Sequence, residues 1–456
     1  MKTPQGITAD LLALAGLNPG MTDRLALSGT EPVLPSSFRV DAAAQATIAA
    51  AGLVAAEIHR ARTGAAQTVS VAMRHAAAEF RSEHHVRDTS VPPGEMWDPI
   101  AGIYRTADGG WVRLHTNFPH HRAGILDLLA CDGTREAVAA ALLTWQAEPF
   151  ETAATAVGMC VAALRSFEQW DTHPHAAAVA PQPLTLERIA DAPPLPLPPG
   201  ADRPLAGLRV LELARVIAGP VAGRTLAAHG ADVLHITGPG VPNLPRLLTD
   251  TGRGKRPAEL DLRTPEAAAT LRALASQADV FLQAYRPGAI AAHGFTPAAL
   301  AAIRPGIVIA TLSAYGETGP WGGKRGFDSL VQTATGFNHA EAAAGSTTPK
   351  PLPCQALDHA SGYLLAFGTM AALLRRATEG GTWKVTVSLA GTGHWLRGLG
   401  RLPDGLATAS PADDDIAGLM ETHGPITAVR HAALLSATPA FWTHPAQPLG
   451  SAAAAW

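Results

Sequence analysis

The sequence predicts an α/β protein in which a doubly wound parallel sheet is joined to a second, smaller α+β unit. Three observations carry that expectation. Short β-rich runs alternate with helical stretches from residue 208 onward, the pattern of a parallel sheet covered on both faces. A proline-rich stretch at 192–204, APPLPLPPGADRP, disfavours both helix and ladder pairing and divides the 456 residues unequally. Segments on either side of it repeat at an offset of 316 positions: Gly52 matches Gly368, Ala55 and Ala56 match Ala371 and Ala372, Arg60 matches Arg376, Gly64 matches Gly380, and Val69 and Val71 match Val385 and Val387.

Taken in order, the pattern predicts a helix over 41–62, a strand over 67–73, a hairpin over 102–115 turning at Asp108-Gly109-Gly110, and mostly helix over 124–167. Beyond the connector it predicts strands over 208–213, 232–236, 279–283 and 306–312, with helices over 220–229, 265–277 and 297–303 between them. The expected division is therefore a first unit at 1–191, the connector at 192–204, the α/β unit at 205–400 and a C-terminal tail at 401–456.

Composition excludes several classes. Thirty-five Lys and Arg against thirty-eight Asp and Glu give a net charge of −3, so no basic field directs the chain to nucleic acid or an anionic membrane. With 47% hydrophobic and 16% charged residues the chain is expected to bury a core rather than remain disordered. Cys131, Cys160 and Cys354 are odd in number and lack CxxC spacing, which argues against a disulfide framework or zinc module and for a reducing, cytoplasmic setting. Residues 1–30 lack a continuous apolar region of the secretory type, and uncharged stretches such as 42–56 and 359–374 fall short of a membrane span.

In an open parallel sheet, ligands sit beyond the carboxyl ends of the strands. The loops expected there read Ala214-Arg215-Val216-Ile217-Ala218-Gly219-Pro220, His235 to Gly238, Tyr285-Arg286-Pro287-Gly288 and Ser313-Ala314-Tyr315-Gly316-Glu317. Neither GxGxxG nor GxxxxGK[ST] occurs in them, so a nicotinamide or nucleoside-triphosphate site is disfavoured. What they and the neighbouring GRGKR segment carry is cationic: Arg215, His235, Lys255, Arg256 and Arg286, a set suited to an elongated polyphosphate ligand. Tyr315 and Gly316 begin a glycine-rich loop that ends at Arg325-Gly326-Phe327-Asp328, where backbone can approach a ligand closely.

Six segments in order, LAGLRVLELARVIAGPVAGRTLAAHGADVLHI, GRGKRPAELDLRTPE, FLQAYRPGAIAAHG, LSAYGETGPW, RGFDSLVQTATG and ALDHASGYLLAFGTMAALLRRATEGGTWKVTVSL, resemble the class III coenzyme A transferases of the CaiB/BaiF type. That family includes formyl-CoA and carnitine-CoA transferases and α-methylacyl-CoA racemase. The resemblance, which spans about 205–389, implies a Rossmann-like α/β domain, coenzyme A as substrate and product with no metal, and Asp328 as the nucleophile. It also implies that Lys255, Arg256 and Arg286 contact CoA, with Arg215, Val216, His235, Tyr315 and Gly316 beside them, and that Glu317 borders the acyl site. An aspartate is ionised at neutral pH and needs no base to attack a thioester. The expected reaction moves CoA from an acyl-CoA to a small carboxylic acid through an aspartyl anhydride and an aspartyl-CoA thioester.

Other readings stand beside it. Asp328 suits a helix N-cap before Ser-Leu-Val-Gln, and Asp358 suits a cap of the alanine-rich helix after it. Asp358 also stands where the racemases have one of their two acid/base groups, but Phe327 occupies the place of the second, a histidine. Racemisation and a non-catalytic CoA-binding scaffold are the alternatives to transfer. The first part resembles a partial family copy without the nucleophile segment, so the expected assembly is a homodimer or a pseudo-dimer within one chain. His115, Asn117, His120 and His121, with His84 and His85, lack the spacing of a metal site and are expected at the surface or in an acyl pocket.

Overall fold

The computed structural model describes residues 1–90, 95–200, 202–342 and 348–456; residue 201 of the connector lies outside them. Near the N-terminus, strand β1 (Leu25–Ser28), helix α1 (Val40–Thr63) and strand β2 (Val69–Ala72) follow one another, with β1 and β2 parallel. The alanine-rich α1 ends at Gly64, whose left-handed φ of 78° lets its N–H reach Arg60 O. Among the described residues α1 is the one helix long and apolar enough to cross a membrane, yet 94% of its most apolar window is buried inside the protein. Strands β3 (Gly102–Arg105), β4 (Trp111–Leu114) and β5 (Val161–Ala163) then form an antiparallel sheet with its own apolar cluster around Tyr104, Val112, Ile125 and Phe150. The stretch 124–167 is therefore not all helix: its last turn of chain pairs with β4 as β5.

The large sheet comprises β6 (Leu184–Ala190), β7 (Arg209–Leu213), β8 (Asp232–Thr237), β9 (Lys255–Glu259), β10 (Val280–Gln283), β11 (Val308–Ser313) and β12 (Thr382–Ser388). Their spatial order is β9-β8-β7-β10-β11-β12-β6, parallel throughout except that β6 runs antiparallel against β12. The first six strands thus show the 3-2-1-4-5-6 arrangement of a doubly wound sheet. β9 and β6 were not expected from the sequence. β9 reads Lys-Arg-Pro-Ala-Glu, and its Pro257 is tolerated because β9 is an edge strand with one side free of ladder bonds.

Three more helices matter to the site: α2 (Ala218–Ala228) after β7, α3 (Asp328–Ala334) and α4 (Ala356–Glu379), which lies against α1, α2 and β12. Helices α1 and α4 have the same length and the same 316-residue offset as the sequence repeat. The close helix-on-strand approach is equivalent in both: a Cβ on Gly52 would meet Val69 at 3.0 Å, and one on Gly368 would meet Val385 at 2.6 Å. The single main core runs through both parts, from Leu11 and Ile48 to Leu364 and Val387. Among its described residues the connector carries no helix or strand; Arg62 of α1 pins it by donating to Pro198 O and Pro204 O at 2.7 Å each. Residues 401–456 contribute the hairpin Met420–His423 with Ile426–Val429 and the pair Leu434–Leu435, which adds antiparallel to β2 as β6 does to β12.

Candidate active site

Adjacent strands β7 and β10 send their chains to opposite sides, and the crevice this opens at their carboxyl ends is where a doubly wound sheet takes ligands. A cleft of about 330 Å³ lies there, large enough for part of a small-molecule ligand. Its floor comes from the loops after β7 (Arg215 to Gly219), β10 (Ala284 to Pro287) and β11 (Ser313, Ala314), and one wall from Arg325, Gly326 and Phe327. The first part of the chain lines the cleft as well, through Phe118, His120, His121 and Cys160, with Phe118 and His121 next to Phe327. Arg215, Val216 and Phe118 also border a second, narrower depression that runs on to His235, Asn243 and Lys255. The turn from β7 into α2 is strained: Val216, β-branched, has a φ of 71°.

Two aspartates meet behind Phe327. Asp328 is the first residue of α3, with Phe327 in the N-cap position, so its carboxyl does not cap its own helix. It caps α4 instead, accepting from the Asp358 N–H at 2.9 Å and from the Leu357 N–H, while Gln332 Nε2 donates to its other oxygen. Gln332 is itself fixed, its Oε1 accepting from Leu352 N at 2.9 Å. Asp328 is fully buried, and burial raises its pKa to about 6 against these hydrogen bonds. Asp358, in the first turn of α4, reaches the cleft wall with 7% of its surface exposed. Burial first, then the charges of Asp328 and Glu83, push its pKa well above the usual carboxylate range.

The surroundings support a single negative charge there. Glu83 is held by His359 Nε2 at 2.8 Å, both side chains buried. Arg113 on β4 is lowered to about 10 by burial, with the charge of Asp328 acting the other way. His115 stacks face to face on Phe327, ring centres 3.7 Å apart, and burial lowers it to about 3. His121 is lowered to about 4 and Cys160 is raised to about 12, both chiefly by burial; their Nε2 and Sγ lie 3.6 Å apart. At neutral pH His115, His121 and Cys160 are therefore uncharged, while Arg113 beside them keeps its positive charge.

The candidate residues named from the sequence separate into two groups. Arg215, Val216 and Arg286 line the cleft, and His235 and Lys255 line its extension. Arg286 is exposed at the mouth, whereas Arg215 is half-buried, its guanidinium 4.8 Å from the Phe118 ring and donating to Pro242 O. Lys255 is committed within the protein, donating at 2.8 Å to Glu212 and to Pro220 O. The remaining residues stand away from the cleft. Arg256 forms a two-pronged pair with Asp232, at 2.9 and 3.0 Å, on the edge of the sheet. Glu317 pairs with Lys384. Tyr315 is buried against His175 and Trp321, and Gly316 takes a φ of 99° in the turn beneath it.

Sequence reasoning did not place Arg113, Phe118 or Cys160 at the site, because they arrive from about 200 positions away through the small sheet. The HTNFPHHR segment was the available signal, and its His120 and His121 do line the cleft. Among the described residues no His, Cys, Asp and Glu group is placed to hold a metal ion.

The model of CoA-transferase family III matches residues 9–182 and again 205–402. The chain belongs to that family. Among its relatives, the probable fatty acyl-CoA transferase Rv3272 of Mycobacterium tuberculosis is 37% identical over 195 residues, covering 39% of this chain and 48% of that protein. The succinate–glutarate CoA-transferase of Agrobacterium fabrum is 36% identical over 157 residues, covering 30% and 39%. An acyl-CoA transferase of Gibberella moniliformis is 27% identical over 431 residues, covering 83% and 75%. The chain thus spans less than half the length of the first two. The two family III matches flank the connector, and the cleft is lined from both of them.

Proposed function

We propose that this family III protein is a CoA transferase that moves CoA between an acyl-CoA and a free carboxylic acid, with Asp328 as nucleophile. The observation that carries the reading is the placement of Asp328: an aspartate at the N-terminus of α3 whose carboxyl also caps α4, immediately behind the wall of a cleft with Arg215 and Arg286 at its mouth. Two helix N-termini favour the carboxylate form, and burial withholds the water shell that would blunt its reactivity. The names of relatives, among them a succinate–glutarate CoA-transferase, point the same way.

In this reaction an Asp328 oxygen attacks the thioester carbonyl, the C–S bond breaks, and an aspartyl anhydride and CoA result. CoA then attacks the aspartyl carbonyl and the donor acid leaves. The acceptor carboxylate attacks the aspartyl-CoA thioester to give a second anhydride, and CoA returns to its acyl carbon, freeing Asp328. Because Asp328 lies behind Phe327, it must turn toward the cleft as the donor seats, displacing the Phe327 ring from His115. A sealed carboxyl protects the anhydride from hydrolysis, which a transferase requires and a hydrolase does not. The apolar wall of Phe118, His121 and Cys160 would hold the acyl chain, and the cations Arg215 and Arg286 the phosphates.

The test is CoA exchange: purified protein is given a panel of acyl-CoA donors with isotope-labelled acids, and the labelled acyl-CoA is followed. Label entering the CoA pool in wild type but not in Asp328→Ala supports the reading; exchange that survives in Asp328→Ala refutes it. Racemisation draws support from Asp358, which reaches the cleft, but Phe327 supplies no acid or base opposite it. Deuterium uptake at the α carbon without any acceptor acid would select that reading.

A further inference from the structure

Four cationic side chains line the cleft, Arg215, Arg286, Lys324 and Arg325, against a single carboxyl, that of Asp358, whose anionic form burial disfavours. Lys324 is neutralised where it stands: it is almost fully buried and donates to Glu151 Oε1 at 2.7 Å. Arg215 and Arg325 donate to the backbone carbonyls of Pro242 and Gly158, and among the described residues none of the three arginines has a carboxylate partner. Uncompensated cations in a cleft attract and concentrate anions.

The three arginines differ in position. The depression that continues the cleft leads from Arg215 toward His235 on β8 and Lys255 on β9, one way along the sheet. Arg325 arrives from the other way, in the segment that joins β11 to α3, three residues before Asp328. Three residues span at most about 11 Å of chain, so Arg325 belongs to the end of the cleft where the nucleophile acts. Its Nη1 donates to Gly158 O at 2.9 Å, which draws the guanidinium onto the first part of the chain near His120 and His121. Burial above all, with the charge of Arg325 adding to it, holds both imidazoles below their usual pKa range. Arg325 itself stays exposed and charged.

Resting on the transferase reading, we infer that Arg325 is a substrate-selecting residue whose guanidinium binds the second carboxylate of a short dicarboxylic acid, while that acid's first carboxylate exchanges CoA at Asp328. A CoA whose phosphates lie over Arg215 and Arg286, with its far end in the depression, leaves Arg325 free for the group being transferred. A guanidinium takes a carboxylate through two parallel N–H bonds, and the carbon chain between the two carboxylates has Phe327, Phe118 and Cys160 to lie against. A monocarboxylic acid of equal length gains nothing from Arg325. Because Arg325 is in contact with water when unoccupied, the expected discrimination is about 30-fold, well short of what a sealed polar pocket achieves.

The experiment measures kcat/KM for CoA exchange with matched acids, succinate against butyrate and glutarate against valerate, in wild type, Arg325→Gln and Arg325→Lys. Wild type should prefer each diacid by about 30-fold, chiefly through KM, and should treat succinamate, whose second group is an uncharged amide, like butyrate. In Arg325→Gln the succinate-to-butyrate ratio should fall to about 1, and Arg325→Lys should keep part of it. Equal use of succinate and butyrate by wild type, or a ratio that survives in Arg325→Gln, overturns the inference and leaves the transferase reading standing. An unchanged ratio with a raised donor KM would assign Arg325 to the CoA phosphates and overturn it as well. Exchange with none of the acids, or exchange that persists in Asp328→Ala, removes the transferase reading and the inference with it. Should Arg325→Gln fail to fold, the comparison of succinate with succinamate in wild type decides.

Discussion

Replacing Asp328 with asparagine is expected to abolish transfer and to make the protein more stable above neutral pH. The carboxyl is fully buried and its pKa stands at about 6 rather than 3.8, a difference of about two units, or about 3 kcal/mol at 1.36 kcal/mol per unit. The sign follows from proton binding: between pH 4 and 6 the folded state holds a proton that the unfolded chain has released. Stability from this group is therefore full below pH 4 and lost as pH rises through 6. Asparagine removes the charge and also relieves Asp358, whose pKa the Asp328 charge helps to raise. Against this, Gln332 Nε2 would face an amide, and turning Gln332 would break its bond to Leu352 N, a cost of about 1–2 kcal/mol. The net expectation is a gain of about 1–2 kcal/mol at pH 8 that turns into a loss of about 1–2 kcal/mol near pH 4, where the charge penalty is gone and the Gln332 cost remains. Urea denaturation of both proteins from pH 4 to 8 measures it. A variant that is no more stable at pH 8, or that retains the wild-type pH slope, would refute the claim that the protein holds this aspartate as a costly buried anion.

Three further outcomes follow from the geometry. Lys255→Met should destabilise the protein by about 3–5 kcal/mol, because Glu212 is left buried without its partner, whereas Arg286→Ala at the exposed mouth should leave the denaturation midpoint unchanged and raise the donor KM about tenfold. Phe327→Ala removes the ring stacked on His115; it should cost about 2 kcal/mol in stability and raise hydrolysis of acyl-CoA relative to transfer, read as free acid formed without an acceptor. Glu317→Gln should leave the transfer rate within about twofold of wild type in the same assay, since Glu317 pairs with Lys384 away from the cleft.

The central strands were readable because β7, β8, β10 and β11 are short apolar runs bounded by turns, and a parallel sheet buries both faces of such runs. β9 was hidden by its own chemistry: Lys255 looks like a surface cation until it is seen to meet Glu212 on β7, buried in what reads as an apolar strand. Lys255 and Arg256 were expected beside Arg286 as ligand contacts; the coordinates add that Lys255 donates to the buried Glu212 and that Arg256 pairs with Asp232 at the part-exposed edge of the sheet. Asp328 was singled out through resemblance alone, and its hydrogen bonds to α4 had no signal in the sequence, because Asp358 lies thirty positions later and nothing local links them. The contribution of Phe118, His121 and Cys160 depends on how the first part packs on the second, which no local pattern records.

The most direct test of the account is to find where the acyl group goes. Incubated with acyl-CoA donors and then quenched with hydroxylamine or borohydride, the wild-type protein should carry its modification on the peptide containing Asp328, stoichiometric with CoA released, and Asp328→Asn should carry none. A modification on any other residue, or CoA exchange with no modification at all, would contradict it.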